Sequence, residues 1–176
     1  MSEIKVIDNF FDDPDSIREE ALLAKYWDPK DHPESRAMHP GRRTLMLHRC
    51  AVKSYNELVN TTKKHFFDGW IYHDSSFQSN LESGTPNNWI HRDSISDCWG
   101  KPATHAIIVY LSKNPGKNSG TSFYKEERED SLFYVVENMY NRAAMYSTEI
   151  LHKGNIFFGD TLETSRLFII DFIRGE

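Results

Sequence analysis

The chain has 176 residues, of which 39% are hydrophobic, 27% charged and 13% aromatic. That is the balance of one globular domain with a real core, not of a disordered or fibrous chain. A net charge of −5 argues against broad electrostatic binding to nucleic acid or to an anionic membrane. The two cysteines, Cys50 and Cys98, make neither a disulfide framework nor a CxxC metal site. No apolar run approaches a membrane span, and the opening MSEIKVIDNFFDDPD has no signal-peptide core, so a cytoplasmic protein is expected.

In chain order, EIKVIDNFF reads as a short strand. DDPDSIREEALLAKYW reads as a helix, with Asp13 as its cap, Pro14 at its first position and acidic residues in its first turn. Residues 28–43 form a polar, proline-containing loop, and TLML a brief strand. VKSYNELVNTTKKHFFDGW reads as a second helix, with Val52, Tyr55, Leu58 and Val59 on one face. From about residue 76 the pattern changes to short apolar or alternating runs: FQSNLE, NWIHRD, HAIIVYLS, TSFYKE, NRAAMYS, GNIFFG and SRLFIIDFI. Gly, Pro, Asn and Ser punctuate them, and one helical-looking piece, SLFYVVENMY, interrupts the series. Two helices followed by many strands predict a mostly β fold, an antiparallel sandwich or jelly roll with the N-terminal helices packed on its outside. HAIIVYL and RLFIIDFI are apolar on both faces and need cover on both sides, which those helices can supply. The chain is thus expected to form a single domain over 1–176, with a helical part at about 1–75 and a β core at about 76–173.

His91 and Asp93 stand two positions apart in NWIHRDS. On a strand, residues i and i+2 share a face, so both can reach one ion. Two His and one carboxylate on one face of an octahedron leave three positions open, the arrangement of non-haem Fe(II) oxygenases. With 8 His in the chain, a bare HxD match is near coincidence, so a second, distant His has to decide. His32, His39, His48 and His65 fall in loop or surface contexts, and His73 and His105 flank strands. His152, in STEILHKGNIFFGD, opens a strand near the C-terminus. A three-residue loop at Gly159, Asp160 and Thr161 would pair Gly154 with Arg166 and set Arg166 on the face of His152, with Phe168, Ile170 and Phe172 lining the same interior. A two-residue loop would reverse that parity. A guanidinium at the mouth of an apolar barrel calls for an anion, and a carboxylate fits it in bidentate fashion.

Taken in order, WIHRDS, HAIIVYLS, GTSFY, NRAAMYS, LHKG and SRLFIIDFI resemble the 2-oxoglutarate- and Fe(II)-dependent oxygenases, in particular their prolyl-4-hydroxylase-like branch, over about residues 76–173. The resemblance implies a double-stranded β-helix, a jelly-roll relative. It implies Fe(II) held by His91, Asp93 and His152, 2-oxoglutarate chelating that iron, and Arg166 binding the far carboxylate. Tyr110 resembles a position that gives a hydroxyl to the co-substrate, and Gln78 and Asn80 resemble pocket-lining residues. It also implies O2-dependent hydroxylation of a C–H bond, with release of succinate and CO2. The substrate class among relatives runs from small molecules to peptides, and the protein is expected as a monomer or homodimer. Two other readings stay open: a cupin-like metal enzyme of different chemistry, and a non-catalytic jelly-roll binding protein. Arg166 separates the first from an oxygenase, because a cupin-like site needs no carboxylate clamp, and the His91/Asp93/His152 set weighs against the second.

Overall fold

A computed structural model describes residues 4–34, 40–66, 70–84, 89–96 and 100–175. The chain begins with strand β1 (Lys5–Ile7) and helix α1 (Pro14–Leu23). The Asp13 side chain caps α1 by accepting from the Ser16 N–H at 3.2 Å, and Pro14 opens it, as the sequence predicts. Strand β2 (Arg42–Arg43), the one-turn helix α2 (Leu47–Cys50) and helix α3 (Val52–His65) follow. The brief strand therefore falls just before TLML and not on it. Thr44 still pairs with Phe77, its N–H donating to the Phe77 carbonyl at 3.0 Å, and the chain then peels away into α2. In α3 the inward stripe is Ser54, Leu58, Thr61 and Thr62, while Val52 points to solvent. The expected face was tilted because small hydroxyl residues carry much of the contact. The Ser54 N–H and hydroxyl both donate to Glu20 of α1, which ties the two helices together.

Strands β3 (Trp70–Asn80), β4 (His105–Tyr110), β5 (Thr121–Tyr124), β6 (Leu132–Val136), β7 (Ala143–Ser147), β8 (Leu151–Gly154) and β9 (Arg166–Gly175) complete the fold. They form a six-stranded sheet, β1-β7-β4-β9-β3-β2, and a three-stranded sheet, β6-β5-β8, and every paired strand runs antiparallel to its neighbour. Strands β1 and β2 come from the N-terminal part, so that part contributes to the large sheet as well as to the helical layer.

Period-2 alternation divides each long strand between two cores. Ile107, Val109, Leu167, Ile169 and Ile173 pack outward against Phe10, Phe11, Ile17, Ala21 and Leu58, the layer built by α1, α3 and their flanks. Ala106, Ile108, Tyr110, Phe168, Ile170 and Phe172 face inward and meet Phe123 and Val136 of the small sheet. The two-sided apolarity of HAIIVYL and RLFIIDFI thus reflects helices on one face and the second sheet on the other.

Two expectations are corrected. SLFYVVENMY is no helix: its LFYVV run forms β6, paired with β5, where consecutive aromatic and β-branched residues suit an extended chain. Leu132, Phe133, Tyr134 and Val135 lie substantially exposed on this edge strand. Strands β8 and β9 make no hairpin. Strand β8 pairs with β5 in the small sheet and β9 lies in the large one, so residues 155–165 cross between sheets. GNIFFG belongs to that crossing, where the Asn155 N–H donates to the Gly120 carbonyl at 2.9 Å and the Ile156 N–H to the Asn118 carbonyl at 3.1 Å. Gly154 and Arg166 nevertheless meet, not as ladder partners but across the interior. A Cβ on Gly154 would stand 3.4 Å from Arg166 Nη1.

Candidate metal centre and co-substrate pocket

His91 lies on a short irregular segment joined to β8 by a single bridge. Its N–H donates to the His152 carbonyl at 3.0 Å, and the His152 N–H returns the bond at 2.9 Å. The Asp93 N–H donates to the Thr148 carbonyl at 3.2 Å, which continues the attachment. Backbone pairing therefore sets His91 directly opposite His152, with Asp93 two residues on along the same face. The ligand atoms of His91, Asp93 and His152 lie within 4.8 Å of one another.

The tautomers are arranged for metal binding. Nδ1 of His91 stands 3.0 Å from the Trp89 carbonyl and Nδ1 of His152 stands 2.9 Å from the Ile150 carbonyl. A backbone carbonyl can only accept, so each Nδ1 carries the proton and each Nε2 keeps a free lone pair. Those Nε2 atoms face the carboxylate, at 3.9 Å (His91 to Asp93 Oδ1) and 3.5 Å (His152 to Asp93 Oδ2). Cis ligands on an octahedral ion with bonds near 2.1 Å would sit about 3 Å apart, a contraction that small side-chain rotations supply. Among the described residues Asp93 Oδ2 is buried with no hydrogen-bond partner, an orphaned acceptor in the set. Burial lowers the pKa of His152, with Asp93 opposing that shift, so its imidazole is held neutral, the form that binds a metal. Phe123 and Tyr146 flank the His152 ring, with centroids 6.2 and 4.8 Å away, and fix its orientation. The donor set and its geometry fit a divalent metal ion.

Further along the interior lies Arg166, 2% exposed. Its Nε donates to the Ser119 carbonyl at 2.6 Å, and Nη2 donates to the Gly120 carbonyl at 3.1 Å and to Thr121 Oγ1 at 3.3 Å. Its guanidinium carbon stands 4.6 Å from the centre of the Phe168 ring. No carboxylate pairs with it among the described residues. The Tyr110 hydroxyl and Thr121 Oγ1 are 2.7 Å apart, and Tyr110 is fully buried. Burial raises the Tyr110 pKa against the pull of Arg166, which keeps the phenol a neutral donor. Arg166, Tyr110 and Thr121 thus form a positively charged, hydroxyl-bearing cluster in the interior. Gly154, opposite Thr121 in the β5–β8 ladder, lies against the guanidinium.

Gln78 and Asn80 lie on the same inner wall, opposite Phe168 and Arg166 respectively. The Gln78 side chain is engaged: Oε1 accepts from Arg43 Nε at 3.1 Å and Nη2 at 2.7 Å, and Nε2 donates to the Pro40 carbonyl at 2.6 Å. Arg92 points away from the set and donates from Nε to the Glu149 carbonyl at 2.9 Å. Sequence reasoning passed over Thr121 and Arg43. Thr121 shares the inward parity of Phe123 on TSFY, a signal that was available. Arg43 sits in what reads as polar loop, with nothing local to mark it.

A family model described as a family of unknown function (DUF6445) matches residues 1–134. That span includes His91 and Asp93 and stops before His152 and Arg166. No curated protein matches the chain. Among solved structures, a prolyl-4-hydroxylase of Pseudomonas putida aligns with a TM-score of 0.57 and 11% identity, covering 100% of this chain and 94% of that one. A prolyl hydroxylase from Trichoplax adhaerens, in complex with a hypoxia inducible factor oxygen degradation domain peptide fragment, aligns with a TM-score of 0.57 and 10% identity, covering 98% and 83%. A prolyl 4-hydroxylase from Phytophthora capsici aligns at 0.48 and 12% identity, and the chain spans only 40% of that protein's length. The Pseudomonas putida and Trichoplax adhaerens likenesses establish the jelly-roll fold of the prolyl hydroxylases, mostly β with antiparallel sheets.

Proposed function

The chain belongs to the DUF6445 family, whose description names no activity, and from the geometry of its interior we propose that it is a 2-oxoglutarate- and Fe(II)-dependent oxygenase. The observation that carries the reading is one interior shared by two features: three convergent metal-ligand atoms and a buried guanidinium without a carboxylate partner among the described residues. His91, Asp93 and His152 would hold the iron as a facial set with three open positions. Arg166 would receive the distal carboxylate of 2-oxoglutarate, with Tyr110 and Thr121 donating beside it. Bound iron and 2-oxoglutarate would supply O2-dependent oxidation, in which decarboxylation to succinate and CO2 is coupled to hydroxylation of a substrate C–H bond.

The chain's own residues do the rest. Phe123, Tyr146 and Phe168 exclude water from the interior between metal set and clamp, which strengthens each charge contact there. The backbone bonds of Nδ1 keep both imidazoles in the ligating tautomer. Gln78 acts on the pocket through Arg43, and Asn80 lines the wall beside Arg166. A cupin-like enzyme of different chemistry would have no use for a buried cationic clamp, so Arg166 favours the oxygenase. The test is spectroscopic. Anaerobic addition of Fe(II) and 2-oxoglutarate should give the weak visible charge-transfer band of the chelate. Folded, metal-loaded protein that shows no such band defeats the proposal.

A further inference from the structure

Arg43 is a second guanidinium on the inner wall, and the clamp does not use it. Its position follows from the local chain. Gly41 takes a positive φ of 72°, and a Cβ there would fall 2.4 Å from the Ser79 carbonyl oxygen, so glycine lets this segment lie flat on β3. Arg43 then pairs with Gln78, on the face that Gln78 shares with Phe168. Among the described residues, both side-chain hydrogen bonds of Arg43 go to one neutral amide oxygen, Gln78 Oε1. No carboxylate forms an ion pair with it among the described residues. A half-buried cation whose side chain, among the described residues, bonds only to an amide and has no carboxylate within ion-pair distance can still receive one.

Asp74 completes the picture. It pairs with Phe172, whose side chain belongs to the inner core, so Asp74 faces the same interior. Among the described residues its carboxylate takes part in no hydrogen bond or ion pair, Arg43 included. Burial raises the Asp74 pKa and Arg43 opposes that shift. Burial also lowers the Arg43 guanidinium to about 10, against the pull of Asp74 and Asp93. Arg43 therefore lies in the electrostatic field of both Asp74 and the metal-ligating Asp93. Arg166 turns the other way, toward Ser119 and Gly120. The interior thus holds two separate guanidinium groups, and on the wall of the second stands a carboxylate that forms no salt bridge among the described residues.

We propose that Arg43 and Asp74 form the substrate subsite, and that the substrate is a small zwitterion of the α-amino-acid type, its carboxylate on Arg43 and its ammonium toward Asp74. The proposal rests on the oxygenase reading, in which Arg166 is occupied by 2-oxoglutarate. Two opposite charges on one wall, neither of which forms a salt bridge among the described residues, suit a ligand that carries both charges. A peptide backbone, by contrast, offers neither charge to these two side chains.

The test is binding to the Zn(II)-substituted protein with 2-oxoglutarate present, read by saturation-transfer NMR. The probes are the proteinogenic L-amino acids, and the same amino acids N-acetylated or as methyl esters. One or a few free amino acids should bind, and capping either end should weaken them about tenfold or more. Arg43→Gln, which keeps an amide partner for Gln78, should weaken the free amino acid about 30-fold or more while leaving 2-oxoglutarate affinity within about threefold. Arg43→Lys should recover part of the loss, which a purely structural role would not produce. Asp74→Asn should weaken the free amino acid and leave its N-acetyl form unaffected. The inference is overturned if no free amino acid binds protein that does bind 2-oxoglutarate, or if capped forms bind as well as free ones. It is equally overturned if Arg43→Gln weakens 2-oxoglutarate instead, since Arg43 would then serve the co-substrate. Protein that binds metal but no 2-oxoglutarate fails the oxygenase reading, a different result.

Discussion

Replacing Arg166 by Met separates a clamp from a structural strut. The guanidinium serves three acceptors, but they do not depend on it equally. The Gly120 carbonyl also accepts from the Asn155 N–H at 2.9 Å, and Thr121 Oγ1 keeps the Tyr110 hydroxyl at 2.7 Å. The Ser119 carbonyl alone loses its partner, at roughly 1–3 kcal/mol for one orphaned buried acceptor. Met fills most of the stem's volume and removes a desolvated charge, so the net cost falls at the low end of that range. For a chain of this size it corresponds to a melting temperature lowered by about 2–6 °C. Co-substrate binding should suffer far more. Truncating one partner of a buried, hydrogen-bonded charge pair costs about 2–5 kcal/mol, or roughly 30-fold to several-thousand-fold in affinity. Anaerobic titration of Fe(II)-loaded protein with 2-oxoglutarate, followed by the visible band, measures that loss, and metal analysis of the same samples should show iron retained. Unchanged 2-oxoglutarate affinity in folded Arg166→Met protein would refute the clamp.

Other changes probe the rest of the site. His152→Ala should lower iron affinity at least about 100-fold, read as metal per chain after desalting, since even supporting residues around a metal cost up to that much. Phe123→Ala empties a fully buried ring position against His152 and Tyr146; about 3–5 kcal/mol should be lost in urea unfolding. Gly120→Ala would place a Cβ 1.9 Å from the Val136 carbonyl; a loss of about 3 kcal/mol or more is expected, and a change under about 0.5 kcal/mol would contradict the β5–β6 approach. Asp8 accepts from Arg142 Nε at 2.5 Å and Nη2 at 3.0 Å, and this pairing holds its carboxyl below the ordinary value of 3.8. The stabilisation is present above that ordinary value and is lost as pH falls through the lowered one. An NMR titration of Arg142→Gln should show Asp8 returning toward 3.8.

The legible parts of this chain were those governed by local rules. The Asp13–Pro14 start of α1 follows from capping chemistry, and the two-faced strands HAIIVYL and RLFIIDFI follow from alternation. His91 and Asp93 share a face for the same reason. What failed was long-range pairing. The β8–β9 hairpin looked right because Gly159 and Asp160 have turn chemistry, yet Gly159, with φ of 79°, serves a turn inside a crossing between sheets, closed by Thr161 and Thr164. Arg166 still faces Gly154, because a jelly roll brings inward residues of opposite sheets together whatever connects them. Arg43 was invisible for a related reason: its role comes from register against Gln78, 35 residues away, and no local pattern encodes that.

The exposed edge strand β6 bears on how the protein behaves in concentrated solution. Leu132, Phe133, Tyr134 and Val135 offer an apolar ribbon with no strand paired along one side among the described residues, a template for another chain to extend. The sequence around it reads EERED before and EN after, placing Glu126, Glu127, Glu129, Asp130 and Glu137 at its two ends. Such flanking charges act as gatekeepers, because stacking two ribbons would bring like charges together. A handful of carboxylates at the ends of one edge strand therefore contributes to the colloidal stability of this protein. Acidification or high salt, which silence them, would turn the same edge into the first point of self-association.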